Sequence, residues 1–147
     1  MIRLSWDQFQ ADCISLADNV RAAGHAYDKL LSITRGGVFV GSMLAYYLDL
    51  RNITTVALRL YEFNQSASVV EQLSNPDMPL PGSRVLVVDD LLDSGRTMEY
   101  VTEKWGEEYQ LDIAVLYDKG GGSIRPAFTA REIPDEWVWF PWEPPGK

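Results

Sequence analysis

The sequence predicts an α/β protein, a parallel twisted sheet flanked by helices, formed by one domain spanning residues 1–147. Two observations carry that expectation. Runs rich in apolar and β-branched residues, at 29–33, 54–61, 85–88 and 112–117, alternate with stretches of helical periodicity. Val85-Leu86-Val87-Val88 is apolar at consecutive positions, the pattern of a strand covered on both faces, which helix crossovers produce in a parallel sheet.

Composition bounds the rest. At 147 residues the chain can bury about two thirds of its unfolded surface. Hydrophobic residues make up 46% and aromatics 12%, so the chain has enough to build a core. A net charge of −8 argues against a nucleic-acid partner, because that binding rests on clustered Lys and Arg. Cys13 is the single cysteine, which excludes an intrachain disulfide and a cysteine-built zinc site. The opening residues soon turn polar, and no apolar run approaches a membrane span. The expectation is a cytoplasmic protein with no membrane partner.

Taken in order, Ser5 is a good N-cap, and Gln8 completes a capping-box pattern. Trp6, Phe9, Cys13, Leu16, Ala17 and Val20 then recur at helical spacing, and the helix should end near Gly24. Cys13 falls on the apolar face and reads as packing. A strand over Lys29–Ile33 leads into Thr34-Arg35-Gly36-Gly37, followed by a helix from Val38 to about Leu48. The paired glycines allow a ligand close to the backbone, and Arg35 adds charge beside a helix amino terminus that favours anions. Thr54–Tyr61 reads as a strand. Glu62–Ser83 shows little periodicity, carries turn signals at Asn75-Pro76 and Pro81-Gly82, and reads as a long loop.

The next stretch is the most informative. Val85–Val88 ends in Asp89-Asp90, at the carboxyl end of a strand, where open α/β sheets bind ligands. Leu91-Leu92-Asp93-Ser94-Gly95-Arg96-Thr97 follows and opens a helix through Met98, Val101 and Trp105. Backbone amides at such a turn can hold a phosphate, and adjacent carboxylates can accept hydrogen bonds from the hydroxyls of a ribose. A receiver domain opening on the same acidic pair would need a longer chain after Asp90. A Walker B strand would need a phosphate loop of the G-x-x-x-x-G-K-[ST] type, which is absent. After the strand Asp112–Tyr117 come Lys119, three glycines and a tail with Trp137, Trp139 and Trp142, read as a core cap or a dimer interface.

Residues 85–97 resemble the phosphoribosyl-pyrophosphate (PRPP) motif of type I phosphoribosyltransferases at every position, and Thr34–Gly37 resembles that family's pyrophosphate loop. The tail, with Asp135-Glu136-Trp137-Val138 and Pro141-Trp142-Glu143 after Lys119, resembles the short bacterial and archaeal purine enzymes. The resemblance implies the type I fold with a small terminal hood for the base. It implies Mg²⁺-dependent transfer of phosphoribosyl from PRPP to xanthine, guanine or hypoxanthine in purine salvage, with homodimers or homotetramers expected. Asp89, Asp90 and Asp93 would be catalytic, with Asp93 the base for the purine proton. Asp89 would meet the metal directly or through water. Asp89, Asp90, Asp93, Ser94, Gly95, Arg96 and Thr97 would hold the ribose and its 5′-phosphate. Thr34, Arg35, Gly36 and Gly37 would hold pyrophosphate, with a non-proline cis peptide at Arg35–Gly36 or next to it. Lys119 would donate to the six-position oxygen, Trp137 would stack on the base, and the backbone at Val138 would bond its edge. One departure stands out: Tyr61–Ser83 contains no Lys or Arg, whereas loops of the family often bring a basic group to pyrophosphate. A noncatalytic PRPP-binding regulator, or a transferase for a pyrimidine or other base, is the alternative.

Overall fold

A computed structural model describes residues 1–64 and 66–146. The elements are β1 (Ile2–Arg3), α1 (Trp6–Ala23), β2 (Lys29–Thr34), α2 (Gly36–Tyr47), β3 (Ile53–Glu62), β4 (Ser68–Gln72), β5 (Arg84–Leu92), α3 (Arg96–Trp105), β6 (Gln110–Asp118), β7 (Phe128–Glu132) and β8 (Val138–Trp139). Six strands form one sheet in the order β4-β3-β2-β5-β6-β7, and β1 pairs with β8 in a separate parallel ribbon. Every pairing in the large sheet is parallel except β3 with β4. No helix among the described residues is long and apolar enough to cross a membrane.

Side-chain alternation divides the core between the two faces of the sheet. Leu30, Leu86, Val88, Ala114 and Leu116 pack with α1 and α2, whereas Leu31, Val56, Val85, Val87 and Val115 pack with α3. The central strands are therefore buried on both sides, as their continuous apolar runs require.

Helix α1 starts as the sequence indicates, with Ser5 Oγ accepting from the Gln8 amide at 3.1 Å, and it ends at Gly24 with φ +74°. The Gln8 side chain does not reach back to close a capping box. It donates instead to Asp12 Oδ1 at 3.0 Å, because Asp12 is buried and gathers donors from Tyr117, Arg131 and Gln8. Cys13 is fully buried, and burial together with the Asp12 charge pushes its thiol up to about 12. Trp6, expected on the buried face, is 54% exposed: on the first turn of α1 its ring packs against Phe9, Phe39 and Trp142 at the rim of the core.

Four strands, β1, β4, β7 and β8, lie where the sequence reading places none. Glu62–Ser83 is not irregular throughout: Ser68–Gln72 forms β4, which pairs antiparallel with β3 from Leu58↔Gln72 to Glu62↔Ser68. This hairpin projects β3 beyond the end of β2, and Tyr100 of α3 donates to Gln72 at 2.7 Å to hold its base. β7 closes the opposite edge of the sheet beside β6. Helices α2 and α3 each begin slightly earlier than read from the sequence, at Gly36 and Arg96.

Candidate active site

Strand order reverses between β2 and β5: the chain runs outward from β2 to β3 on one side and from β5 to β6 on the other. Such a switch point leaves a crevice at the carboxyl ends of the two strands, and the turns after them close over it. Both turns carry the residues singled out above.

Past the buried run of β5, Asp90 stands against Gly36 at the start of α2, and Asp89 stands beside Leu60 and the turn before α3. The two carboxylates therefore serve two compartments. Asp90 lines a cleft of about 820 Å³ with Arg35, Gly36, Phe39, Trp137, Trp142 and Glu143 among its walls. Asp89 lines a smaller hollow of about 150 Å³ with Leu60 and the turn Asp93–Thr97. The Asp90 amide donates to Asp89 Oδ1 at 2.8 Å. Burial raises the pKa of both carboxyls, and the Asp90 charge pushes that of Asp89 further up. Glu143 adds like charge beside Asp90.

The start of α2 presses on this pair. A Cβ at Gly36 would lie 1.9 Å from Asp90 Oδ2, and one at Gly37 would lie 2.7 Å from the Val88 carbonyl oxygen. Only glycine permits that approach. The non-proline cis peptide lies at Thr34–Arg35, next to the bond named first in the sequence reading.

Capping separates the site helices from the rest. Whereas α1 is capped by Ser5, neither α2 nor α3 has a side chain capping its amino terminus. Apart from the Arg96 amide, their first amides have no side-chain cap and stand at the crevice, where an anion can take them. The turn before α3 passes through Gly95 at φ +83°, and the Arg96 amide donates to Ser94 Oγ at 3.4 Å. Arg96 pairs with Glu99 at 3.3 Å, and Glu99 also accepts from Ser123 Oγ at 2.6 Å.

Lys119 is no free surface lysine. Its side chain is 8% exposed, and its ammonium lies 3.5 Å from both Asp93 and Asp135. Its backbone amide donates to the Leu92 carbonyl at 3.0 Å, so β6 delivers it beside the PRPP-like turn. Trp137 is 68% exposed at the cleft, which removes the reading of it as plain core. β1 takes the Trp137 and Trp139 carbonyls through the Ile2 and Leu4 amides at 2.8 and 2.9 Å. The intervening Val138 thus turns its own amide and carbonyl to the other edge of the ribbon, while its side chain is buried.

The fold brings together the acidic pair, both glycine turns, Lys119 and the Trp137 segment. It also adds residues the sequence reading did not assign. Phe39, one turn into α2 from Gly36, stacks on Trp142 at 4.3 Å with rings 1° from parallel, and Trp142 stacks on Phe140 at 4.7 Å. Trp142 and Trp139, assigned to packing from the sequence, also line the cleft, as does Glu143. The spacing Gly36 to Phe39, one helical turn, is the signal that could have flagged Phe39.

Comparison with known proteins agrees with this geometry. Xanthine-guanine phosphoribosyltransferase of Ruegeria sp. is 30% identical over 95% of this chain and 84% of that protein. A Neisseria gonorrhoeae hypothetical protein solved with bound ppGpp superposes with a TM-score of 0.83 at 28% identity, covering 99% of this chain and 90% of that one. Purine phosphoribosyltransferase of Pyrococcus horikoshii superposes at 0.84 and 25% identity, covering 97% and 93%. Residues 5–147 match the phosphoribosyl transferase domain, and the chain belongs to that family.

Proposed function

We propose that the protein transfers the 5-phosphoribosyl group from PRPP to a ring nitrogen of a 6-oxopurine (xanthine, guanine or hypoxanthine), releasing pyrophosphate for purine salvage. The observation that carries this reading is the carboxylate pair of β5 set between two uncapped helix amino termini at the switch point of the sheet. That arrangement suits a ligand with a phosphate at one end, a pyrophosphate at the other and hydroxyls between. The relatives named for xanthine and guanine, and a guanine nucleotide bound to the Neisseria protein, support a purine as acceptor.

The reaction breaks the C1–O bond to pyrophosphate and forms a C1–N bond to the base, through a sugar carrying positive charge. Asp89 and Asp90 accept the ribose hydroxyls and place negative charge near that cation. The amides and hydroxyls of Asp93–Thr97 hold the 5′-phosphate, and Arg35 with the amides of Gly36 and Gly37 holds pyrophosphate. Lys119, already between two carboxylates, donates to the six-position oxygen, and Asp93 takes the purine proton. Trp137 offers its exposed face to the ring, and Val138 its free backbone edge.

The donor set fits Mg²⁺ carried by the substrate. Two adjacent carboxylates are present, while no group of three or more candidate ligands occurs among the described residues, so most ligands would be PRPP oxygens and water. Asp89 would hold the ion directly or through water, and the ion would supply charge neutralisation on the pyrophosphate.

The test is pyrophosphate release from PRPP and Mg²⁺ with xanthine, guanine, hypoxanthine, adenine, uracil and orotate offered singly. Release with a 6-oxopurine is expected. Release only with uracil or orotate would move the enzyme to the pyrimidine class. Silence with every base, beside tight PRPP binding by calorimetry, would leave a PRPP-sensing regulator.

A further inference from the structure

The loop Lys119–Ser123 lies against the phosphate turn, and its fit there is made at one residue. A Cβ at Gly122 would stand 3.1 Å from the Gly95 α-carbon and 3.3 Å from the Ser94 carbonyl oxygen, while a Cβ at Gly95 would stand 3.0 Å from the Gly122 α-carbon. Two backbones meet there with no room for a methyl group between them. Gly121, by contrast, would place a Cβ 3.5 Å from the Asp93 carbonyl oxygen, an ordinary contact. Neither Gly121 nor Gly122 has positive φ, so alanine suits the backbone at both and the difference between them is contact alone.

The loop is fixed at each end. Asp118 Oδ1 accepts from the Gly120 amide at 2.8 Å, and Lys119 donates its amide to Leu92 at 3.0 Å. At the far end Ser123 Oγ donates to Glu99 at 2.6 Å, and Glu99 holds Arg96 at 3.3 Å. That hydrogen bond is the largest influence holding the Glu99 carboxyl below its ordinary range.

From this geometry we infer that Gly122 is a positioning residue for the phosphate turn: it braces Gly95 from behind and so sets where the Ser94–Thr97 amides point. The inference rests on the reading of that turn as the 5′-phosphate site. A methyl group at 122 must push the turn outward by a few tenths of an ångström, because backbone lies on both sides of the contact. The amides then miss the phosphate, although no group that touches substrate has changed.

The experiment compares Gly122→Ala with Gly121→Ala, using calorimetry of PRPP with Mg²⁺ and steady-state rates. Gly122→Ala should weaken PRPP binding and raise its KM at least about tenfold. It should leave kcat at saturating PRPP within about threefold, leave the KM for the base unchanged, and preserve a cooperative thermal transition. Gly121→Ala should match the parent protein in every readout. Equal losses in the two variants, or none in either, would overturn the inference. Should Gly122→Ala not fold, Ser123→Ala, which cuts the outer tie to Glu99, should still raise the PRPP KM about threefold, and an unchanged KM would overturn it. A parent protein that binds PRPP tightly yet transfers to no base would refute the transferase reading and leave this one testable by binding alone.

Discussion

Asp89 carries a cost in the folded protein. Its carboxyl, buried beside a second carboxylate, is harder to ionise in the folded chain than in the unfolded one. An acid with a raised folded-state pKa binds its proton more tightly when folded, so stability falls as pH rises from the unfolded value, about 3.9, through the folded one. At neutral pH the carboxyl therefore opposes folding. Asp89→Asn should stabilise the empty protein by about 1 kcal/mol at pH 7.5, with a smaller gain at pH 5, while transfer drops by about a hundredfold or more. Thermal scans at the two pH values check the sign. A lower melting temperature for Asp89→Asn at pH 7.5 would mean that the carboxylate is a structural partner and not a strained ligand.

Among the elements, β5 and β6 are held together by more than their ladder. Asp112 on β6 accepts from Arg84 Nε of β5 at 2.9 Å and from the Tyr27 hydroxyl at 2.7 Å. Desolvation pushes the Asp112 carboxyl upward, but the bonds from Tyr27 and Arg84 outweigh it and hold the group below its ordinary range. The resulting stability is present above the unfolded carboxylate value, about 3.9, and is lost as pH falls through the depressed folded value. Asp112→Asn should cost about 1 kcal/mol at pH 7, a modest figure because the group remains partly solvated. Denaturant titration at pH 7 and pH 3 checks it, with the difference shrinking at the lower pH. These interior strands were legible in the sequence because burial on both faces dictates apolar residues. β4 and β7 lie at the two edges, where Ser68-Val69-Val70-Glu71-Gln72 and Phe128-Thr129-Ala130-Arg131-Glu132 face partly outward, so their sequences carry little periodic signal. The same division holds in the site. Asp89–Thr97 and Thr34–Gly37 are contiguous and could be read as units. Phe39, Trp142 and Glu143 converge on the cleft only through the packing of α2 against the tail.

Across the whole molecule, the tail could have been a loosely attached flap, and its contacts say otherwise. β1 joins β8 in a parallel ribbon, Phe140 stacks on Tyr117 of β6 at 6.1 Å, and Trp142 lies between Phe140 and Phe39. Val138 and Phe140 belong to the same buried cluster as α1 and the central strands. The segment that carries Trp137 and Val138 is thus built into the core that positions α2, and both ends of the cleft are set by one packed unit. Unfolding should then be a single transition, with tryptophan fluorescence, sensitive to Trp137, Trp139 and Trp142, coinciding with far-ultraviolet circular dichroism. Trp142→Ala removes the ring between α2 and the tail, at a cost of about 1 to 3 kcal/mol. In that variant fluorescence should change before the helical signal, and the KM for the base should rise more than the KM for PRPP, because the displaced segment carries Trp137 and Val138. If the two probes still coincide and the base KM is unchanged, the ribbon with β1 alone holds the tail, and the aromatic stack contributes only buried area.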